Sequence, residues 1–586
     1  GRQRQRRLVR QARAYGLRVI GPSALGVINN DQAVALNASL SPVVPERGRV
    51  GFFCQSGPLG TVILRTVADR GLGLSTFVSA GNRADVSGND LMQYWQEDAA
   101  TDVVLLYLES VGNPRKFSRI ARRLSEVKPV VAVRSGRFTQ SAPLGHTVRV
   151  PGVPQAAVDA MFRQAGVIVV DTLEAMLDVA QLLTYQPLPA GERLGIVGNS
   201  DALALLAVDA AAEHGLTLAR EALTLPPDID PADLAERLDE LVTSDEVDAV
   251  VVAYALPVDL DGRQTAHAIA QVARHADKPV VATFLGSSGV PEPLRPVPSY
   301  GSPGAAVAAL AHAAAYARWR RRPRGREPDL PDIDDDRARD VVREVLSGAA
   351  GTQGVELEPA QVATLLSCYG IEVLPAYPVS TVEEAIGVGE EIGWSQGRDV
   401  VLKATAPHLR QRPDLADVRR DIGTAEEMRD AWEVLAQAVG SADDAGFVVQ
   451  TMAAPGVPVT VAGAEDPAFG PVVSFGVAGV ATDLLGDFVY RVPPLTDVDA
   501  AGMVREIKAA PLLSGHRGGD LVNLAAVEDL LLRVGRMTHD LPELGSVELV
   551  PVLANARGAT VLGASARLVP ASRHRTDWYA RRLTRL

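Results

Sequence analysis

The 586-residue chain predicts an α/β multidomain protein: two doubly wound parallel-sheet units in tandem, followed by a domain of different, α+β kind. Three observations predict it. Short β-branched runs such as "DVVLLYLES" and "PVVAVRSG" each leave through a turn into a helical stretch over residues 46–187. The same strand–turn–helix grammar restarts at residue 188, and beyond a charged, proline-bearing segment it gives way to short strands with few helices. Continuous apolar strands separated by helical spacing belong to parallel sheets covered on both faces, whereas segregated short strands belong to antiparallel ones.

Taken in order, residues 1–45 read as an arginine-rich helix ("RQRQRRLVRQARAYGL"), a short strand "RVIG" and a loop "PSALGVINND". This is the expected tail of a domain whose beginning is missing. Residues 46–187 form the first sheet unit and 188–317 the second, from "RLGIVGNS" through "VDAVVVAYAL" to "KPVVATFLGSSGV". Residues 318–352 contain "RWRRRPRGREPDLPDIDDDRARD" and read as a charged linker. Residues 353–586 are the α+β domain.

Composition narrows the function classes. The chain is 47% hydrophobic and 22% charged, with a net charge of −13. No apolar run approaches the roughly 20 residues of a membrane span. The acidic balance argues against a nucleic-acid scaffold and favours small-molecule ligands. Two cysteines, Cys54 and Cys368, give no disulfide framework and no zinc spacing, as in a reducing cytoplasm.

Three features of the first unit point to chemistry. "CQSGPLG" (Cys54 to Gly60, with Gln55, Ser56, Gly57 and Gly60) lies between a buried strand and a helix, where backbone N–H groups and the helix dipole favour a phosphate. It lacks the lysine and glycine spacing of a P-loop, and a plain turn capped by Ser56 is the alternative. Glu109 ends a buried strand, where a carboxylate needs a partner. His146, in "APLGHTVRV", follows another strand; if Glu109 accepts one ring N–H, the other nitrogen is free as a nucleophile. In the last domain Lys403, one of five lysines, sits on a strand from which it could reach a nucleotide phosphate. The alternative is a partly exposed strand lysine.

The order "GPSALGVIN", "GFFCQSGPLGT", "STFVSAGNRADVSGNDLMQYW", "LLYLES", "PVVAVRSGR", "GHT", "VVLKATAPHL", "DPAFGPVVSFGVAG" and "PPLTDVDA" resembles the NDP-forming acyl-CoA synthetases, relatives of succinyl-CoA ligase. It is similar in particular to the actinobacterial form fused to an N-terminal GNAT acetyltransferase of the protein lysine acetyltransferase type. The resemblance implies a remnant of a CoA-binding Rossmann domain (1–45), two flavodoxin-like ligase domains (46–187 and 188–317) and an ATP-grasp domain (353–586). It also implies an exchange of acyl-CoA, phosphate and ADP with acid, CoA and ATP. His146 matches the phosphorylated histidine, Glu109 its orienting acid and the turn from Gln55 to Gly60 a phosphate-holding loop. Lys403 and Gln450 match nucleotide-binding positions, and Glu548 a magnesium ligand. CoA, ATP or ADP, and magnesium are the implied cofactors. Acyl-CoA and nucleotide are the implied ligands, with a fused or missing acetyltransferase and a possible homo-oligomer.

The pattern also breaks. Gln411 stands where the family has a second, phosphoryl-carrying histidine; Ala416 and Asp417 replace two glycines of its loop; Val550 replaces an asparagine that binds magnesium. Glutamine does not accept a phosphoryl group as imidazole does, and valine offers a metal no oxygen. Two readings follow: a working ligase, or a pseudo-synthetase that binds acyl-CoA or nucleotide and regulates a fused acetyltransferase. A scaffold that binds nothing is the blandest alternative.

Overall fold

The computed structural model describes all residues except 1, 112–113, 136–152, 257–261, 285–287, 349–353, 406–417, 441, 467–468, 480–483 and 571–586. The chain divides into two compact units, residues 1–150 with 161–323 and residues 151–160 with 324–586.

The first unit holds two sheets. One has seven strands in the order Leu36–Ser39, Gly26–Asn29, Leu74–Ser79, Arg47–Cys54, Val103–Leu108, Val130–Arg134, Ile168–Val170, and the last five run parallel. Strands buried along most of their length, such as the wholly buried Leu74–Ser79, explain their unbroken apolar runs. The other sheet, also parallel, orders Leu223–Thr224, Arg193–Gly198, Ala249–Tyr254 and Val280–Phe284, with Thr217–Leu218 beside Arg193–Gly198. A single core joins the two sheets. Phe52 and Leu105 from one, and Ile196 and Val251 from the other, share it with Met176 and Leu177 of helix Leu173–Tyr185 and Leu310 of helix Pro303–Arg321. Each large apolar side chain removed from water there contributes about 1.5–3 kcal/mol.

Three expectations change. "GVIN", read as part of a loop, is the strand Gly26–Asn29. It pairs antiparallel with both Leu36–Ser39 and Leu74–Ser79, so the supposed domain tail extends the first sheet. "RVIG" is not a strand; Arg18 and Val19 instead bond to Asp85. The linker segment contains the helix Asp335–Ser347, N-capped by Asp334, and helix Pro303–Arg321 runs into its start. The charge of "DIDDDRARD" masks an i, i+4 apolar pair, Ala338 and Val342, that packs into the second unit's core.

The second unit is α+β. An antiparallel sheet runs Val355–Glu356, Ala564–Leu568, Leu544–Asn555, Val457–Asp466, Gly470–Val477, Phe488–Arg491, with Gly558–Val561 beside Leu544–Asn555. Helices Asp497–Glu506 and Leu524–Asp540 supply Met503 and Val534 to its core. A second antiparallel sheet orders Ala376–Pro378, Phe447–Thr451, Val400–Ala404 and Val418–Ile422 over a separate core containing Leu402, Met428 and Phe447. Among the described residues no helix is long and apolar enough to cross a membrane.

Candidate functional site

Strand Arg47–Cys54 lies between Leu74–Ser79 and Val103–Leu108, and its parallel register sets Cys54 opposite Tyr107. The next residue, Gln55, is 3% exposed and ties the end of the neighbouring strand. Its Oε1 accepts from the backbone N–H of Glu109 at 2.7 Å and of Ser110 at 3.0 Å, while its Nε2 donates to the Ser110 carbonyl at 2.9 Å. A glutamine fits here because it supplies acceptor and donor from one planar group. Gln55→Leu is expected to leave both N–H groups without that acceptor and to cost about 1–3 kcal/mol for each, read as a lower urea midpoint.

Ser56 is the N-cap of helix Gly57–Asp69, accepting from the Leu59 N–H at 3.5 Å, so the capping expected of it is present at the head of the turn. Gly57 and Gly60 are small because the segment 21–25 lies against them. A Cβ on Gly57 would sit 3.0 Å from the Ser23 carbonyl oxygen, and one on Gly60 3.0 Å from Leu25 Cδ2. The segment Ala80–Ala84 closes the same rim: Ala80 N–H donates to the Cys54 carbonyl and Asn82 N–H to the Pro22 carbonyl, each at 2.9 Å. Gly81 has φ +50, and a Cβ there would meet the Pro22 oxygen at 2.3 Å. Burial, with a smaller contribution from the Glu109 charge, pushes the Cys54 thiol up to about 12. This cysteine is therefore an unreactive wall of the site.

The structure thus brings Gln55, Ser56, Gly57, Gly60 and Glu109 to one rim, at the C-terminal ends of parallel strands, where open α/β sheets bind ligands. His146 lies outside the described residues, as do Gln411, Ala416 and Asp417. Two residues of the rim went unread in the sequence. Arg83 donates to the Ser110 carbonyl at 3.2 Å and to its hydroxyl, and Asn82 Oδ1 is buried with no hydrogen-bond partner among the described residues. The available signal was "SAGNRAD", a glycine–asparagine turn directly after a buried strand.

The second sheet of this unit repeats the device without the acid. Asn199, 4% exposed, accepts from Ala255 N–H at 2.7 Å and donates to the Ala255 carbonyl at 2.8 Å, and Ala255 takes the place of Glu109. The "GNSDALA" turn consequently ties strands together but presents no carboxylate at that position.

In the second unit Lys403 and Gln450 lie on paired strands, with Val401 opposite Gln450 and Lys403 opposite Val448. Lys403 Nζ donates to Gln450 Oε1 at 2.8 Å and to the Leu562 carbonyl at 3.1 Å. Gln450 is 2% exposed, and its Nε2 donates to the carbonyls of Leu374 and Leu562. Both of its ends are engaged within the protein, on Lys403, Leu374 and Leu562. Burial lowers the Lys403 ammonium from 10.5 to about 8. Leu562 N–H in turn donates to the Pro551 carbonyl, and Val550 N–H to the Gly563 carbonyl. Val550 and Glu548 line a cleft of about 270 Å³ with Thr460, Ser474, Phe488 and Tyr490. Lys403, Gln450 and Val550, scattered in sequence, are therefore linked by hydrogen bonds through the 562–563 segment, with Glu548 two residues from Val550 on its strand.

Among the described residues no three His, Cys, Asp or Glu side chains gather as a metal site. Glu548 is the cleft's carboxylate; Val550, 38% exposed, presents only carbon. Magnesium commonly takes one or two protein carboxylates and completes its octahedron with phosphates and water, and Glu548 offers one such carboxylate at the cleft.

Comparison with known proteins gives these arrangements a family. A model of the ATP-grasp domain matches residues 348–568, and a model of the succinyl-CoA ligase like flavodoxin domain matches residues 47–183. The ADP-forming acetate–CoA ligase I of Archaeoglobus fulgidus is 32% identical over 592 residues, covering 96% of this chain and 84% of that protein. The ADP-forming 4-hydroxybutyrate–CoA ligase of Nitrosopumilus maritimus is 26% identical over 598 residues, covering 95% and 83%. Trans-feruloyl-CoA synthase FCS1, from an unknown prokaryotic organism, is 28% identical over 617 residues, covering 97% and 83%. Identity of this level across almost the whole chain, falling on a flavodoxin-like ligase domain and an ATP-grasp domain together, places the protein in the ADP-forming acetyl-CoA synthetase family, related to succinyl-CoA ligase.

Proposed function

We propose that the chain interconverts acyl-CoA, phosphate and ADP with the free acid, CoA and ATP through a phosphohistidine at His146. The observation that carries this reading is the hold on Glu109: its backbone is fixed by Gln55 at the head of the helix that would receive a phosphoryl group. A phosphate oxygen attacks the thioester carbonyl, the C–S bond breaks and CoA leaves as the thiol after taking a proton. The free ring nitrogen of His146 then attacks phosphorus, and the P–O bond to the acyl group breaks to release the carboxylate. Finally an oxygen of the ADP β-phosphate takes the phosphoryl group from nitrogen, giving ATP and neutral imidazole. The N-terminus of helix Gly57–Asp69 favours the anion while the phosphoryl group is on the acyl phosphate and on His146. Lys403, oriented by Gln450, serves the nucleotide phosphates, and Glu548 would hold a nucleotide-borne magnesium ion, which would supply neutralisation of their charge.

The relatives bear the names of acetate, 4-hydroxybutyrate and ferulate, so the acyl group is a property of the individual protein. The test is ATP formation from ADP and phosphate with acetyl-CoA, 4-hydroxybutyryl-CoA and feruloyl-CoA in parallel. ATP from one of them carries the reading, and none from any of them counts against it.

A second reading is favoured by Val550, an aliphatic side chain beside the cleft's carboxylate. Here the ligase fold binds acyl-CoA or nucleotide without turnover and regulates a fused acetyltransferase of the GNAT type. Val550→Asn separates the two. In a working ligase the added oxygen tightens MgATP binding by up to about tenfold, one hydrogen-bond-sized contribution, and raises ATP synthesis. In a sensor it tightens binding and leaves ATP synthesis absent.

A further inference from the structure

We infer that Arg83 is a positioning residue for Glu109, holding the Glu109–Ser110 turn together with Gln55. This rests on the reading above for its activity readout. The Ser110 carbonyl accepts from Gln55 Nε2 at 2.9 Å and from Arg83 at 3.2 Å, and the Ser110 hydroxyl accepts a second Arg83 N–H. The turn is thus clamped by one neutral and one charged side chain. Arg83 is held in the left-handed region, at φ +49, which non-glycine residues seldom adopt. The surroundings maintain that conformation: Arg83 N–H donates to the Ala80 carbonyl, and its neighbours Asn82 and Ala84 are bonded to Pro22 and Gly21. Burial lowers the guanidinium from its ordinary value, and the Glu109 charge opposes that shift, so the two charges feel one another. Cys54 and Tyr107, which also sense Glu109, are neutral thiol and phenol.

A merely structural clamp and a charge partner differ in two ways. Lysine restores charge but not the planar fork, and a partner acting through Glu109 loses its effect when Glu109 is already neutral. The experiment is a double-mutant cycle of Arg83→Met and Glu109→Gln, with Arg83→Lys beside it, in the full chain. Phosphoryl incorporation from MgATP and urea unfolding are both measured. Arg83→Met is expected to slow incorporation by about 100-fold, with Arg83→Lys recovering about tenfold of that loss, and Arg83→Met in the Glu109→Gln background to cost less than about threefold. In urea, Arg83→Met is expected to lower the midpoint more in the native background than in the Glu109→Gln background. Equal effects in both backgrounds, or equal rates for the Met and Lys variants, overturn the inference. A native chain that takes up no phosphoryl group defeats the phosphohistidine reading, and the urea cycle then decides the Arg83–Glu109 coupling by itself.

Discussion

His146→Ala removes the acid-labile phosphoryl group that the native chain is expected to acquire from MgATP, seen by intact mass before and after mild acid. The effect is all-or-none because the residue is the acceptor itself. A phosphoryl group on imidazole is bonded through nitrogen and is lost in acid, whereas one on serine or threonine survives. The turn offers Ser56 as a competing hydroxyl, but that oxygen accepts a capping bond from Leu59 N–H, so the acid test tells the two apart. Loss of the label in the variant supports the ligase. Retention of the label moves the acceptor elsewhere. A native chain that binds nucleotide and gains no phosphoryl group supports the regulatory reading and assigns the block to phosphoryl carriage, where Gln411 replaces imidazole.

Lys403→Met is expected to weaken nucleotide binding by about 10- to 100-fold, the worth of a charge-assisted bond to phosphate at roughly 1.5–3 kcal/mol, measured by calorimetry. The native chain's affinity for ADP should fall as pH rises through about 8, because the ammonium that attracts phosphate is lost there, and the variant should lack that fall. Stability runs the other way. The folded state holds Lys403 at about 8, below its ordinary value of 10.5, so between those values the unfolded chain binds more protons and stability rises with pH. Below about 8 the buried ammonium costs its full penalty, up to roughly 3 kcal/mol. The methionine variant should therefore gain most over the native chain near neutral pH, and its advantage should shrink toward about pH 10. A difference in urea midpoint that is constant with pH would show that the ammonium is not buried in the folded protein.

Both effects join residues far apart in sequence, which explains how much of the site could be read in advance. "CQSGPLG" was legible because strand, turn and capped helix are contiguous, and Glu109 because a carboxylate at the end of a buried apolar run is conspicuous. The partners were not. Gln55 reaches Ser110, Arg83 reaches the same residue from another loop, and Lys403 is anchored on Leu562, 159 residues away. Gln450 was expected among the nucleotide ligands, and its engagement with Lys403, Leu374 and Leu562 appears only when three chain segments meet.

The sequence by itself determined the α/β character, because a strand buried on both faces must be apolar throughout and so records its environment in its own residues, as in Leu74–Ser79 and Ala249–Tyr254. It also determined the helix start at Ser56, which depends on neighbours within one turn. Only the tertiary structure decided that Gly26–Asn29 joins the first sheet, that Asp335–Ser347 is a helix docked by Ala338 and Val342, and that Arg83 and Gln55 meet on Ser110. Each of these depends on a surface or a charge supplied by a distant part of the chain, and such contacts leave no periodicity in the segment that makes them.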